Sequence, residues 1–167
     1  MEPEVKDLDI ASLVTKVMDE LGSTRDAVIP ILSEINRALG YIPAAALPEI
    51  RRHIQAQQRQ EGVFVADSHL YSAASFYQMF SLEPLGRHVI RFCESAPCHV
   101  VGGRKLWQAL YDELHLKAGE TSADGKWSLV PVSCLGVCAV GPVLVIDDDM
   151  YGNVEPEQLS DILARYD

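Results

Sequence analysis

What the chain lacks narrows its class before any motif is read. No stretch reaches the 18 consecutive apolar residues that mark a membrane-crossing helix. The first ten residues, MEPEVKDLDI, are acidic. A secretion signal needs positive charge followed by an apolar segment, and an import leader needs arginine without acid. The expectation is therefore a cytoplasmic protein with no direct membrane insertion. Basic surface is also missing: 14 Lys+Arg stand against 24 Asp+Glu, a net charge of −10. A phosphate backbone needs the opposite sign, so nucleic acid is not an expected partner. Residues 1–85 and 86–167 carry the same excess of acid, so there is neither an acidic tail nor a basic arm. No G-x-G-x-x-G occurs, and GGRK at 102–105 lacks the rest of a phosphate loop and reads as a helix start. This chain is expected to bind neither NAD nor flavin itself. No C-x-x-C is present either, which disfavours a thioredoxin-type redox dithiol.

Cysteine is scarce, and its placement is informative. The chain has four cysteines, confined to CESAPC at 93–98 and CLGVC at 134–138. With 167 residues, 48% of them hydrophobic, the protein can bury its own core without disulfide staples. Four thiols in a reducing compartment then point to a metal site rather than to two disulfides.

The first half reads as helical. Ile10, Leu13, Val14, Val17 and Leu21 recur at helical spacing, with Gly22 as the stop. Val28, Ile31, Leu32, Ile35 and Leu39 form a second such face ending at Gly40, with Pro30 early enough to be tolerated. A third helix is expected from Pro43, ending in the polar QAQQRQEG, and a shorter fourth over DSHLYSAASFYQMF with Asp67 or Ser68 as N-cap. The pattern changes near Pro84–Gly86. RHVIRFCE is rich in β-branched and aromatic residues and reads as a strand. Leu106, Leu110 and Leu114 mark a helix, GKWSLVPVSC a second strand ending at Cys134, and PVLVIDDDMYGNV a hairpin. EPEQLSDILARY closes the chain as a helix. The fold class is α/β: a helical, bundle-like subdomain over 1–85, then a β-α-β-β-α domain over 86–167. Strand, helix and strand in series imply a parallel pair, to which the hairpin adds antiparallel strands. That order matches a thioredoxin-like mixed sheet.

Each cysteine pair follows a strand. If the two strands are parallel neighbours, both loops leave the same sheet edge and four thiolates converge. Zinc in four-cysteine sites favours pairs with two intervening residues. Here the spacings are C-x4-C and C-x3-C, which suit a two-iron body, each pair taking one iron of a [2Fe–2S] cluster. Small residues at Gly136 and at Gly141-Pro142 would let backbone N–H groups approach sulfur. On spacing alone, zinc, disulfides and free thiols remain alternatives.

The combination CESAPC…CLGVCAVGPVLVIDDDMYGNVEPEQLSDIL resembles the small thioredoxin-like [2Fe–2S] subunit of complex I (NADH:quinone oxidoreductase). That subunit type is also found in NAD(P)-linked hydrogenases and formate dehydrogenases. LSEINRALGYIPAAALPEI and SAASFYQMFSLEPLGRHVIRFC are similar to the family's helical stretch and to its run into the first cysteine. The resemblance covers about residues 12–166. It implies that Cys93, Cys98, Cys134 and Cys138 are the metal ligands of one [2Fe–2S] cluster. It further implies an electron-transfer subunit of an NAD(P)-linked oxidoreductase complex, with no substrate site on this chain. The partner would be a flavin- and NAD(P)-binding subunit carrying FMN, with a further iron–sulfur subunit beside it. The N-terminal helices would form much of the docking surface. No histidine replaces a ligand, so a low-potential one-electron centre is expected rather than a Rieske type. The rival readings are a free-standing ferredoxin-like carrier, which would not need the helical half, and a zinc-stabilised interaction module.

QAQQRQEGVFVADSHLYS departs from the family linker, and Ser75 stands where the family often has threonine. His99 follows a ligand and reads as a plain loop histidine. Asp147–Asp149 read as a solvated hairpin turn rather than a carboxylate metal site. Trp107 and Trp127 read as core residues. Phe76, Tyr77 and Phe80 read as a packing seam between the two halves, with a docking surface as the alternative.

Overall fold

In a computed structural model of the protein, residues 9–58 and 65–166 are described. Part of the polar run QAQQRQEG lies outside them. The chain forms two compact units, residues 1–84 and 85–167.

The first unit is built from four helices: α1 (Ile10–Leu21), α2 (Val28–Leu39), α3 (Ala46–Gln58) and α4 (Asp67–Phe76). Asp9 caps α1, its carboxylate accepting from the Ala11 N–H at 3.2 Å and the Ser12 hydroxyl at 2.7 Å. The predicted stripes become the core. Val14, Met18, Ile31, Leu32, Ile35, Ile50, Ile54 and Leu70 are buried together, where each large side chain contributes about 1.5–3 kcal/mol. Two expected boundaries differ. The third helix begins at Ala46, because residues 43–46 close a turn in which the Ala46 N–H donates to the Pro43 carbonyl at 2.9 Å. In α4 the N-cap position falls to Ala66 and no side chain caps it. The Asp67 carboxylate lies instead 2.7 Å from Arg51 Nε on α3. Asn36 secures the segment after α4, accepting from the Ser81 N–H at 3.1 Å and donating to the Met79 carbonyl at 3.4 Å. Within the aromatic run, Phe80 is partly buried against this unit's own core, whereas Phe76 is 77% exposed and Met79 62%. Phe80 is thus held by its own unit, while Phe76 stays largely exposed, its ring meeting Tyr77 edge-on at 5.1 Å.

The second unit contains β1 (His88–Cys93), a single turn α5 (Ala96–Cys98), α6 (Arg104–Leu114), β2 (Trp127–Val132), β3 (Leu144–Ile146), β4 (Asp149–Tyr151) and α7 (Leu159–Leu163). The sheet order is β2-β1-β3-β4. β1 and β2 are parallel, with His88 opposite Trp127 and Cys93 opposite Val132. β3 runs antiparallel to both β1 and β4. This is the mixed β-α-β-β-α arrangement expected from the sequence. The second strand stops at Val132, short of Cys134. Pro131 is tolerated in it because β2 is an edge strand, where a missing ladder donor costs little. Ile90, Phe92, Leu129, Leu144 and Ile146 pack with Leu106 and Leu110 of α6 and with Leu159 and Ile162 at α7. Trp127 is buried in the core, and Trp107 packs partly buried against it, meeting Phe92 edge-on at 4.3 Å, so both tryptophans serve packing. The buried Ser128 hydroxyl is satisfied by the Gly86 N–H at 2.7 Å and by Thr121 Oγ1 at 2.6 Å.

The Asp-rich turn departs most from its sequence reading. Asp148 is exposed, as a solvated turn requires. Asp147 instead takes a left-handed conformation (φ 54°) and turns its carboxylate back on β1. It accepts from the Val89 N–H at 2.8 Å and lies 2.7 Å from His88 Nδ1. Asp149 accepts from the Tyr166 hydroxyl at 2.8 Å, and the Tyr151 and Tyr166 hydroxyls are 2.8 Å apart. Burial, then the Tyr151 hydroxyl and the Asp149 carboxylate, push the Tyr166 phenol well above its usual range. Aspartate tolerates the left-handed region better than most residues, and here it also satisfies a strand-end donor. Asp147→Ala is expected to lower unfolding free energy by about 2 kcal/mol, from the orphaned strand donor and the left-handed backbone. Asp148→Ala should change it by less than about 0.5 kcal/mol. Denaturant unfolding of the two variants checks the contrast.

Candidate metal centre

The site follows from parallel pairing. β1 and β2 run the same way in matched register, so their carboxyl ends lie at one edge of the sheet. Cys93 is the last residue of β1, and α5 folds back at once and carries Cys98. Cys134 follows β2 by two residues, and Cys138 opens a short 3-10 turn. All four are free thiols.

Their contacts are mutual. Cys134 Sγ and Cys138 Sγ are 3.3 Å apart, and the Gly136 N–H donates to Cys134 Sγ at 3.4 Å. Gly136 adopts φ 84°, a conformation that aims this donor back at the sulfur and that a residue with a Cβ resists. Burial pushes the Cys93 thiol up, but the backbone N–H groups of Ser95 and Leu135 and the Cys98 thiol outweigh it, leaving a net lowering. Leu135 belongs to the second loop, so that loop reaches across to the first pair. Burial and the Cys93 thiol push Cys98 up, while a backbone contact with Val143 opposes them, and Cys138 adds a smaller charge effect. Cys138 is pushed up chiefly by Cys134, then by burial, with Cys93 contributing through its charge. The structure thus brings together all four cysteines picked out from the sequence.

The fit to a metal group can be judged from this donor set. Among the described residues, no group of three or more His, Cys, Asp or Glu side chains is gathered as a single-ion site. A lone zinc would need all four sulfurs at mutual distances of about 3.8 Å, given its bond length and tetrahedral geometry. The thiols instead influence one another most strongly within each pair, Cys93 with Cys98 and Cys134 with Cys138, and more weakly through charge between the pairs, a donor set that fits a body with two metals. The backbone comes close beside them: a Cβ added at Gly141 would lie only 3.3 Å from Cys98 Sγ and 3.2 Å from Val101 Cγ2, so glycine keeps this approach open.

Apart from Glu94, directly after Cys93, the loops around the sulfurs carry no Asp, Glu, Lys or Arg over 93–103 or 133–141. Val100 is 83% exposed and Val101 56%, with Leu135 and Val140 also exposed. Sequence reasoning missed this apolar collar, although the charge-poor stretches were visible in an acidic chain. His99 is exposed on the same turn.

The sheet order and the paired cysteines at its edge define a thioredoxin-like iron–sulfur protein. A family model described as thioredoxin-like [2Fe-2S] ferredoxin matches residues 14–167, and the chain belongs to that family. The cofactor of the family is a [2Fe–2S] cluster, and the four cysteines are consistent with it. The chain is 35% identical over 157 residues to a NADH-quinone oxidoreductase subunit of Aquifex aeolicus, covering 92% of each chain. It is 28% identical over 153 residues to the HndA subunit of the NADP-reducing hydrogenase of Solidesulfovibrio fructosivorans, covering 92% of this chain and 84% of that one. Its fold is similar to part of a solved NAD+-reducing [NiFe]-hydrogenase, with TM-score 0.64 at 19% identity over 83% of this chain and 22% of the other. These relatives are components of oxidoreductase complexes. No helix among the described residues is long and apolar enough to cross a membrane.

The close approach at Gly141 is testable. Gly141→Val places a branched side chain against Cys98 Sγ. It should reduce iron bound per chain after anaerobic reconstitution to less than about half of the wild-type value while the far-UV circular dichroism is unchanged, since close-packed sites have no slack for added methyl groups. Iron analysis and circular dichroism on the same sample check it.

Proposed function

We propose that this chain is the [2Fe–2S] electron-transfer subunit of an NAD(P)-linked oxidoreductase complex, working in the cytoplasm. In this reading Cys93 and Cys98 hold one iron, Cys134 and Cys138 the other, and no substrate is converted on this chain. When bound, the cluster takes up and gives back one electron at a time. The flavin and the NAD(P) belong to a partner subunit, and a further iron–sulfur subunit adjoins it. The observation that carries the proposal is the convergence of two cysteine pairs at one sheet edge among the exposed apolar side chains of Val100, Val101, Leu135 and Val140. Such a surface is costly to leave in water and suits a permanent protein contact.

Each feature of the chain has a part in this. The β1–β2 pairing fixes the separation of the two loops. Backbone N–H groups of Ser95, Leu135 and Gly136 donate to sulfur, which stabilises negative charge there and tunes the potential. Val100, Val101, Leu135 and Val140 exclude water once a partner covers them. The first unit supplies a second docking surface, on which Tyr71, Phe76, Tyr77 and Met79 stay exposed on and just after α4. Support also comes from relatives named as subunits of NADH-quinone oxidoreductase and of NADP-reducing hydrogenase.

The test uses the chain co-purified with its flavin subunit. Under anaerobic conditions, NAD(P)H should raise the paramagnetic signal of a reduced two-iron centre in the pair and not in this chain alone. Val100→Glu should weaken the pair about tenfold, while salt between 50 and 500 mM changes wild-type affinity by less than about threefold, since few exposed charges would be screened. Reduction of the isolated chain by NAD(P)H would contradict the division of labour. A salt dependence as steep as that of a charged interface would contradict the apolar dock.

A further inference from the structure

The two cysteine pairs are unequal in a way the electron-transfer role does not require. Cys93 and Cys98 are buried, at 7% and 2% exposure, whereas Cys134 and Cys138 are exposed. The exposed sulfurs are already 3.3 Å apart, and only three residues separate them, with Gly136 in the left-handed region at the apex. A disulfide needs its sulfurs at about 2.05 Å, so bond formation asks for a movement of little more than an ångström within one short loop. The buried pair offers no comparable access to a reagent from solution.

We infer that, in a chain that has not yet received its cluster, Cys134 and Cys138 form a reversible intraloop disulfide that gates cluster loading. The oxidant is a small-molecule disulfide. One thiolate of the pair attacks it, forming a mixed disulfide and releasing one small thiol. The second thiolate then displaces the other small thiol, and the bond between Cys134 and Cys138 is complete. Two cysteine thiols are oxidised, one small disulfide is reduced, and the two protons leave on the two small thiols. The bridge removes two of the four cluster donors and leaves Cys93 and Cys98 as thiols. An excess of reducing thiol reverses it. The effect on loading rests on the ligand assignment proposed above; formation of the bridge does not.

The experiment uses the full-length chain, stripped of iron and fully reduced, then exposed anaerobically to oxidised glutathione. Remaining thiols are alkylated and located by peptide mass spectrometry. The expected product has lost two hydrogen masses, carries a bridge between Cys134 and Cys138, and is alkylated at Cys93 and Cys98 only. Cys93→Ser should still form the bridge, and Cys134→Ser should not. Given iron and sulfide, the bridged chain should bind less than about one tenth of the iron taken up by the reduced chain, until dithiothreitol restores uptake. Alkylation of all four cysteines after oxidation, a bridge to Cys93 or Cys98, or glutathione adducts that persist at 134 or 138 would overturn the inference. If the bridge forms but the fully reduced wild-type chain, with all four thiols free, still fails to bind iron and sulfide, the disulfide stands and the ligand assignment falls. If the bridged chain loads as well as the reduced one, the gate is overturned.

Discussion

The parallel pairing of His88–Cys93 with Trp127–Val132 is the constraint on which the rest of this structure depends. Parallel strands need a crossover, here supplied by α5, the turn after it and α6, and their ends then point the same way. Only under that condition do residues 93–98 and 134–138, far apart in sequence, become neighbours. The core beneath the edge keeps it in register: a one-residue slip of β1 would bring Val89 and Arg91 into the layer now filled by Ile90 and Phe92. Asp147 adds a second lock at the opposite end of β1, holding the Val89 N–H and His88.

Geometry at the edge is then a matter of very short elements. α5 is a single turn, and the second cysteine loop has a left-handed glycine at its apex. Apart from the exposed Glu94 and His99, residues 93–103 and 133–141 carry small or aliphatic side chains, and backbone N–H groups of Ser95, Leu135 and Gly136 approach the sulfurs. In a chain of net charge −10 these two segments hold a single carboxylate. Limiting carboxylates there limits charge that would oppose the thiolates, and the exposed aliphatic side chains leave an apolar rim that a partner can cover. The same exposure makes the second pair reactive toward oxidants before that cover exists.

Much of this was legible in the sequence because it rests on periodicity and spacing. The stripes of α1 and α2 and the leucines of α6 needed only a count of intervals, and the order of strands and helices carried the topology. The convergence of the cysteine loops followed from topology alone. What was not legible depended on side chains choosing distant partners. Asp67 was expected to cap α4 but lies against Arg51, because a cation on α3 competes for its carboxylate. Asp147 looked like one of three solvated turn residues, and nothing local distinguishes it from Asp148; its role comes from β1 lying beside the turn. The exposure of Phe76 was equally hidden, since an aromatic residue on a short helix has no periodic marker that separates a packed face from an open one.

The function of this chain turns on what its four sulfurs hold. The most direct measurement is iron and sulfide content together with electron paramagnetic resonance of the anaerobically purified chain, before and after dithionite. The account predicts a coloured protein with about two irons and two sulfides per chain, silent as isolated and showing one rhombic S = 1/2 signal when reduced. A colourless protein carrying about one zinc per chain and no sulfide would contradict it.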